Sequence, residues 1–354
     1  MRETAKRAAM ATLVSGGIVV AVLAVWELRL VVALLFLAFM LAAAMRPTVD
    51  AGARRGIPRA AGISAHYLVL AGLVAGLLWA VVPRAIDQVD EAAAGLPETR
   101  SALGEEARDS DGIKHDLLIG LQRRLSDVPS GESLVDPAVE VTKTVFEVAI
   151  GIFFVLACAA YWIYERDRAE DLLCSLLPRA RRQRVRDTWN LIDAKLGAYV
   201  RGQALLIVLV GTTLSVAFWA IGLPYWLLLG AFAGVVELIP VIGPLTAGAL
   251  AVGVGLTVSW QVALAAGLAV LVVRLLEDYI VIPRVLGDAV GLTPLVVLVA
   301  VAACGILFGG FAVILAIPFA AVLATVADVV VRDKDPAEEE VPTVIFPAKE
   351  AETG

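Results

Sequence analysis

The chain has 354 residues, 60% of them hydrophobic and 18% charged, with a mean hydropathy of +0.84, against about 45 to 50% apolar and about 25% charged in an average globular domain. A soluble globular domain is excluded. The apolar residues fall in long runs almost free of charge, each near the roughly 20 residues that cross a bilayer, so the composition implies an all-α, polytopic helical membrane protein. The formal charge of −6 argues against a nucleic-acid partner. Three cysteines (Cys158, Cys174, Cys304) without metal-ligand spacing imply neither a metal site nor a disulfide framework.

In chain order, Arg2, Lys6 and Arg7 precede an apolar run at 10–26, read as a retained anchor rather than a cleaved signal. A second run at 30–45, a basic loop (Arg46, Arg54, Arg55, Arg59) and a third run at 61–82 complete an N-terminal three-span region, 1–83. Residues 84–143 hold 7 Lys/Arg against 13 Asp/Glu, with Ile113, Leu117, Leu121 and Leu125 at helical spacing. They predict a small soluble acidic helical insertion. A fourth span follows at 144–164. Residues 165–201 carry 9 basic against 6 acidic residues, and Val185, Trp189, Ile192, Leu196 and Tyr199 share one helical face. That pattern predicts a basic amphipathic linker helix at the membrane surface, packed on the bundle. Cytoplasmic loops collect Lys and Arg, so the N-terminus, the 46–59 loop and 165–201 are assigned to the cytoplasm and the insertion to the outside. The expectation is a multi-pass protein of the inner (plasma) membrane with both termini cytoplasmic. From Asp328 onward there are 8 acidic and 3 basic residues, so 329–354 reads as a disordered acidic tail. Trp26, Trp79, Trp162, Trp219, Trp226 and Trp260 read as interface anchors.

The C-terminal membrane core, 202–328, opens with a fifth span at 205–223. Two longer apolar stretches follow, each interrupted: 225–260 at Glu237-Leu-Ile-Pro240-Val-Ile-Gly243-Pro244, and 294–327 at Gly305-Ile-Leu-Phe-Gly309-Gly310 and again at Ile317-Pro318. Inside a bilayer such breaks persist only where protein or a water-filled cavity satisfies the released backbone groups, and paired broken helices point to a transport site. Kinked spans and re-entrant hairpins both fit, giving about eight transmembrane helices. Between the breaks, 262–283 contains Arg274, Glu277 and Asp278. An ionisable group at mid-bilayer costs on the order of 2.5 to 3.5 kcal/mol, so it normally faces a partner or an aqueous path. Spacing makes both Glu277, three residues on, and Asp278, four residues on, neighbours of Arg274; once Arg274 pairs with Asp278, Glu237 and Glu277 have no cation of their own. Glu237, Arg274, Glu277 and Asp278 form the candidate substrate or ion pathway; the alternative is a clamp that only fixes the bundle. Gly72-xxx-Gly76, Gly230-xxx-Gly234 and Gly305-xxx-Gly309 read as helix-packing positions.

These residues carry a resemblance. Gly-Leu-Pro224-Tyr-Trp-Leu-Leu-Leu-Gly230, the Glu237 to Pro244 motif, Glu277-Asp-Tyr-Ile-Val-Ile-Pro283-Arg-Val-Leu-Gly287, Val290-Gly-Leu-Thr-Pro294-Leu-Val, Gly309-Gly310 and Ile317-Pro318, in that order, resemble the autoinducer-2 exporter family, also called PerM-like permeases. Arg201-Gly202-Gln203 matches the same pattern. The resemblance implies about eight helices and membrane transport; export of autoinducer-2 and sodium/proton antiport are both attributed to members. Its hinge or broken-helix positions fall here on Pro240, Gly243, Pro244, Pro283, Gly287, Gly291, Pro294, Gly309, Gly310 and Pro318. Where many members have a polar amide, this chain has Arg274, which discourages cation binding and favours an anionic or polar organic substrate. The leading expectation is a transporter or exporter of a small polar solute; a sodium/proton antiporter and a non-transporting scaffold are the alternatives. No Gly-rich phosphate loop is present, so neither ATP hydrolysis nor a cofactor is expected. Two histidines, His66 and His115, supply no catalytic constellation. The expected partners are the lipid bilayer, a small polar solute or monovalent cation, and further copies of the chain in a homo-oligomer.

Overall fold

The computed structural model describes residues 10, 12, 14–17, 20, 23–24, 26–76, 78–79, 83, 135–240, 242–282, 292–339 and 341, with the backbone alone for 135–142, 144 and 145. The 84–134 portion of the predicted insertion, and Pro283, Gly287 and Gly291, lie outside the described residues. Among the described residues all regular structure is helical, as the composition requires: backbone polar groups in hydrocarbon must be satisfied within the segment. The protein is an all-α polytopic membrane protein. Five of the described helices are long and apolar enough to cross a bilayer.

The helices are α1 (Arg29–Arg54), α2 (Arg59–Gly76), α3 (Val135–Ser175), α4 (Arg179–Ala220), α5 (Trp226–Val236), α6 (Ile242–Leu256), α7 (Trp260–Leu276), α8 (Pro294–Phe308) and α9 (Ala316–Val330). The chain divides into two compact units, Met1–Leu68 with Phe154–Gly354, and Val69–Phe153. In the second unit the described residues are helical and mostly exposed, and Gly72 and Gly76 have no neighbour within 4 Å of an added Cβ.

In the first unit, α1 is the central post. Its alanines at 33, 38, 42 and 43 are buried, and so small a surface lets neighbouring backbones approach closely. One side packs with Ile63 of α2 and Val155, Ala159 and Ile163 of α3, and another with Leu196, Tyr199 and Leu206 of α4 and Leu315 ahead of α9. Trp162 does not stand alone as an interface anchor: it stacks on Trp189 at 6.0 Å between ring centres, with Phe39 edge-on at 5.3 Å.

The 165–201 segment differs from the surface helix that its periodicity suggests. α3 runs on to Ser175, and α4 continues unbroken for 42 residues from Arg179, about 63 Å at 1.5 Å per residue. The basic segment therefore extends α3 and α4 beyond the bilayer, and the Leu196 and Tyr199 face is buried against the bundle. Pro178 sets the boundary as the residue preceding α4, since proline cannot continue a helix arriving from α3.

Both broken stretches are hairpins. α5 and α6 have 11 and 15 residues, about 16 and 22 Å, too short to cross a core of about 30 Å. Ala233, before the break, and Ala247, after it, line one cavity beside Val210 and Leu214 of α4, which a collinear helix would not allow. Gly230 and Gly234 seat α5 against α4: a Cβ at Gly234 would lie 2.6 Å from the Ile207 carbonyl oxygen, and one at Gly230 would overlap Ser215. At the turn, a Cβ on Gly243 would overlap the Val236 carbonyl oxygen. Gly243→Ala is therefore expected to destabilise the protein by about 1 to 3 kcal/mol, the range for overpacking. A thermal melt in detergent matching that of wild type would contradict it.

The second hairpin turns at Gly309, whose φ of +90° suits glycine and few other residues. A 3₁₀ turn, Gly310–Leu315, leads into α9, and Ala312 and Ala316 fold back onto Cys304, Ala300 and Val301 of α8. Pro318 does not break a helix. It is buried in the first turn of α9, where its missing N–H is harmless.

The start of the acidic tail is structured. α9 reaches Val330, and the following residues fold against α4: Arg184 Nη2 pairs with Asp333 at 2.6 Å and donates to the Val329 carbonyl at 2.8 Å, and Lys195 Nζ pairs with Glu339 at 2.6 Å. The remainder, apart from Val341, lies outside the described residues.

Candidate functional site

Three helix ends build the polar centre. α5 stops at Val236 because Pro240 and Pro244 close by cannot donate in a continuing ladder, so Glu237 stands at its C-terminal edge. α6 restarts at Ile242 with Gly243 and Pro244 in its first turn, where unpaired N–H groups are normal. α7 begins at a Ser259 cap that accepts from the Val262 N–H at 3.2 Å, and it loosens into a π turn at Glu277–Val281. Such turns recur at functional sites because the extra residue re-aims the side chains around it.

This geometry brings together all four predicted pathway residues. Arg274 Nη1 lies 2.9 Å from Glu237 Oε1 and 3.2 Å from Glu277 Oε2, while Nη2 lies 2.9 Å from Asp278 Oδ1. The pairing predicted from spacing is thus corrected: Arg274 serves three carboxylates, not Asp278 alone, and Glu237 and Glu277 do have a cation. Spacing along one helix could not show Glu237, which the α5–α6 hairpin delivers from 37 residues away. The Glu237 and Glu277 side chains are 7% and 4% exposed, against 41% for Asp278. Among the described residues one guanidinium therefore faces three carboxylates, two of them buried, and the formal balance is two negative charges in excess. From α4, Gln203 Nε2 donates to the Glu237 backbone carbonyl at 3.4 Å, one of the acceptors released by the helix break. The adjoining cavity, walled by Val210, Leu214, Ala247 and Val270, measures about 10 Å³, room for about one water molecule.

The hinge positions divide by role. Pro240 lies in the α5–α6 turn, Gly243 and Pro244 in the first turn of α6, Pro294 at the first position of α8, Gly309 and Gly310 in the α8–α9 turn, and Pro318 inside α9. Most of these prolines start helices; the reversals are made beside them.

Sequence reading missed Gln203 in this role, and also a second charged assembly. Arg166, buried to 4% exposure, reaches Asp193 Oδ2 at 2.6 Å, Glu170 Oε2 at 2.6 Å and Asn190 Oδ1 at 2.5 Å. Arg46 joins at 3.2 Å to Asp193, and Arg186 at 3.1 Å to Glu170. The network ties α1, α3 and α4 at the end where basic residues collect. Its only trace in the sequence is the four-residue spacing of Arg166 and Glu170, which any solvated helix shows.

The sequence is similar to known proteins. Residues 17–332 match the family described as AI-2E family transporter. Among curated relatives, the chain is 27% identical over 285 residues to the "Putative transport protein YrrI" of Bacillus subtilis, covering 76% of this chain and 78% of that one. It is 28% identical over 305 residues to the "Putative transport protein MT0215" of Mycobacterium tuberculosis (82% and 81%) and 25% over 251 residues to the "Putative permease PerM" of Escherichia coli (69% and 68%). With the family pattern spanning nearly all of the helical bundle, the chain belongs to the AI-2E family of membrane transporters.

Proposed function

We propose that the protein is a gradient-driven exporter of a small polar solute, with Glu237, Arg274, Glu277 and Asp278 as the centre that the solute or its coupling ion meets. The observation that carries this reading is the charge imbalance at the junction of α5, α6 and α7: three carboxylates on one guanidinium, with both glutamates buried. A cluster short of positive charge takes up a proton, a monovalent cation or a cationic group of a solute. The two hairpins supply the movable parts, since each turns on a few residues beside the cluster or in the next broken segment.

The same imbalance favours a second reading, sodium/proton antiport. Spread over three partners, Arg274 no longer opposes cation binding as a lone fixed charge beside Glu277 would. Export of autoinducer-2, which is one activity attributed to the family, is a candidate for the first reading. We assign the protein to the inner membrane with both termini cytoplasmic, supported by the basic residues gathered at the ends of α1, α3 and α4 and by the C-terminal segment held there through Lys195 and Glu339. The exposed small-residue and apolar faces support self-association into a homo-oligomer.

Flux into proteoliposomes tests the choice, with a fluorescent proton readout under imposed pH or sodium gradients and labelled autoinducer-2 in parallel. Solute movement dependent on the gradient is the expected result. Proton movement driven by sodium without solute would select antiport, and silence in every arm would leave a scaffold.

A further inference from the structure

Arg201 has no place in the polar centre, yet it is an arginine at the membrane boundary whose bonding is incomplete. It is the last charge on α4 before the apolar run at 205–223, and its Nη1 donates at 3.1 Å to the carbonyl of Ala44, one residue from the end of the 30–45 run and two before Arg46. Both helices change from apolar to charged at this point, the kind of transition that marks the end of a membrane-crossing segment. Its Nε is buried and has no hydrogen-bond partner. Arg46 and Arg166 are each occupied by carboxylates, whereas among the described residues Arg201 holds only a backbone oxygen. A guanidinium offers five N–H donors in a planar fork, and a half-buried one with a single neutral acceptor is short of an anionic partner.

The local fold makes room for this arrangement. Gly197, one turn before Arg201, has no side chain; a Cβ there would lie 2.5 Å from the Ala43 carbonyl oxygen and 3.1 Å from Arg201 Nη1. The glycine thus lets α1 approach and clears the space in which the guanidinium lies across to Ala44.

We propose that Arg201 is an oxyanion site at the α1–α4 seam that takes a phosphate group, from the headgroup of an anionic phospholipid or from free phosphate. The planar fork matches two phosphate oxygens at once, and the Ala44 carbonyl fixes Nη1 while Nη2 remains for the ligand. The site lies on the face of α4 turned to α1, away from the Gln203 face turned to Glu237, so its occupation is separable from the transport centre.

The test uses full-length protein in phosphatidylcholine nanodiscs containing phosphatidylglycerol, with the lipid that co-purifies after extraction quantified. Wild type is expected to retain phosphatidylglycerol above its bulk share, and Arg201→Gln to lose roughly tenfold, the scale of one charge-assisted contact; Arg201→Lys should keep part. In parallel, the wild-type melting temperature is followed in inorganic phosphate and in chloride of equal ionic strength. A phosphate-specific rise without lipid enrichment would assign the site to the free anion. No lipid enrichment and no phosphate-specific rise in wild type would overturn the proposal even if the variants fail to fold. Equal retention and equal phosphate response in wild type and folded Arg201→Gln would also overturn it.

Discussion

Arg274→Gln is expected to destabilise the folded protein by about 3 kcal/mol, the lower end of the range for removing one partner of a buried ion pair. The loss leaves Glu237 and Glu277, 7% and 4% exposed, facing each other and Asp278 without a cation. The lower end applies because Arg274 is itself 31% exposed and a proton can enter in its place. The measurement is thermal or denaturant unfolding in detergent. Adding Glu237→Gln and Glu277→Gln to the same chain should restore most of the stability, since the repelling charges are then gone. If the triple variant melts as low as the single one, Arg274 supports the bundle by packing rather than by charge. Arg274→Lys should fall between the two, because one ammonium cannot reproduce the fork that reaches Glu237 and Glu277 through Nη1 and Asp278 through Nη2.

Glu277→Gln has the opposite profile: flux falls by about tenfold or more, equivalent to at least about 1.4 kcal/mol on the limiting step, while folding and assembly hold. Stability survives because Arg274 keeps two carboxylates, and the change lowers the excess of negative charge. Transport suffers because an amide can neither give up a proton nor balance a passing cation. Proteoliposome flux beside a melting curve of the same preparation reads both properties. Full flux in Glu277→Gln, with Glu237→Gln added, would remove the cluster from the pathway and leave it as the structural clamp that was the alternative from the start. Reduced flux together with a collapsed melting curve would instead show that the glutamate acts through folding.

The class of the protein was legible from residues alone because it depends on quantities that add along the chain. Runs of apolar residues near bilayer length dictate helices whatever their neighbours do, since no other single-segment structure satisfies its own backbone in hydrocarbon. The breaks at Pro240 to Pro244 and at Gly309-Gly310 were equally local: proline lacks a donor, and a φ of +90° suits glycine. The charged residues were found for the same reason, each being costly in lipid wherever it points.

Partnership was decided only in three dimensions. Spacing along α7 gave Arg274 its neighbours Glu277 and Asp278, but Glu237 arrives by the fold-back of α5 on α6. That fold-back depends on Gly230, Gly234 and Gly243 meeting backbone atoms of α4 and α5, a fit between surfaces that no single segment encodes. Likewise, the period of 185–199 places five residues on one helical face, yet whether that face met lipid or α1 turned on contacts of Leu196 and Tyr199 with Ala43 and Met40. Arg166, Glu170 and Asp193, which the sequence shows only as part of the charged 165–201 segment, form a buried network. Local chemistry thus determined which elements form and where they stop. Which charges share a counter-ion, and which arginine at the boundary is left short of one, were set by helix–helix approach, because an ion pair depends on distance in space rather than along the chain.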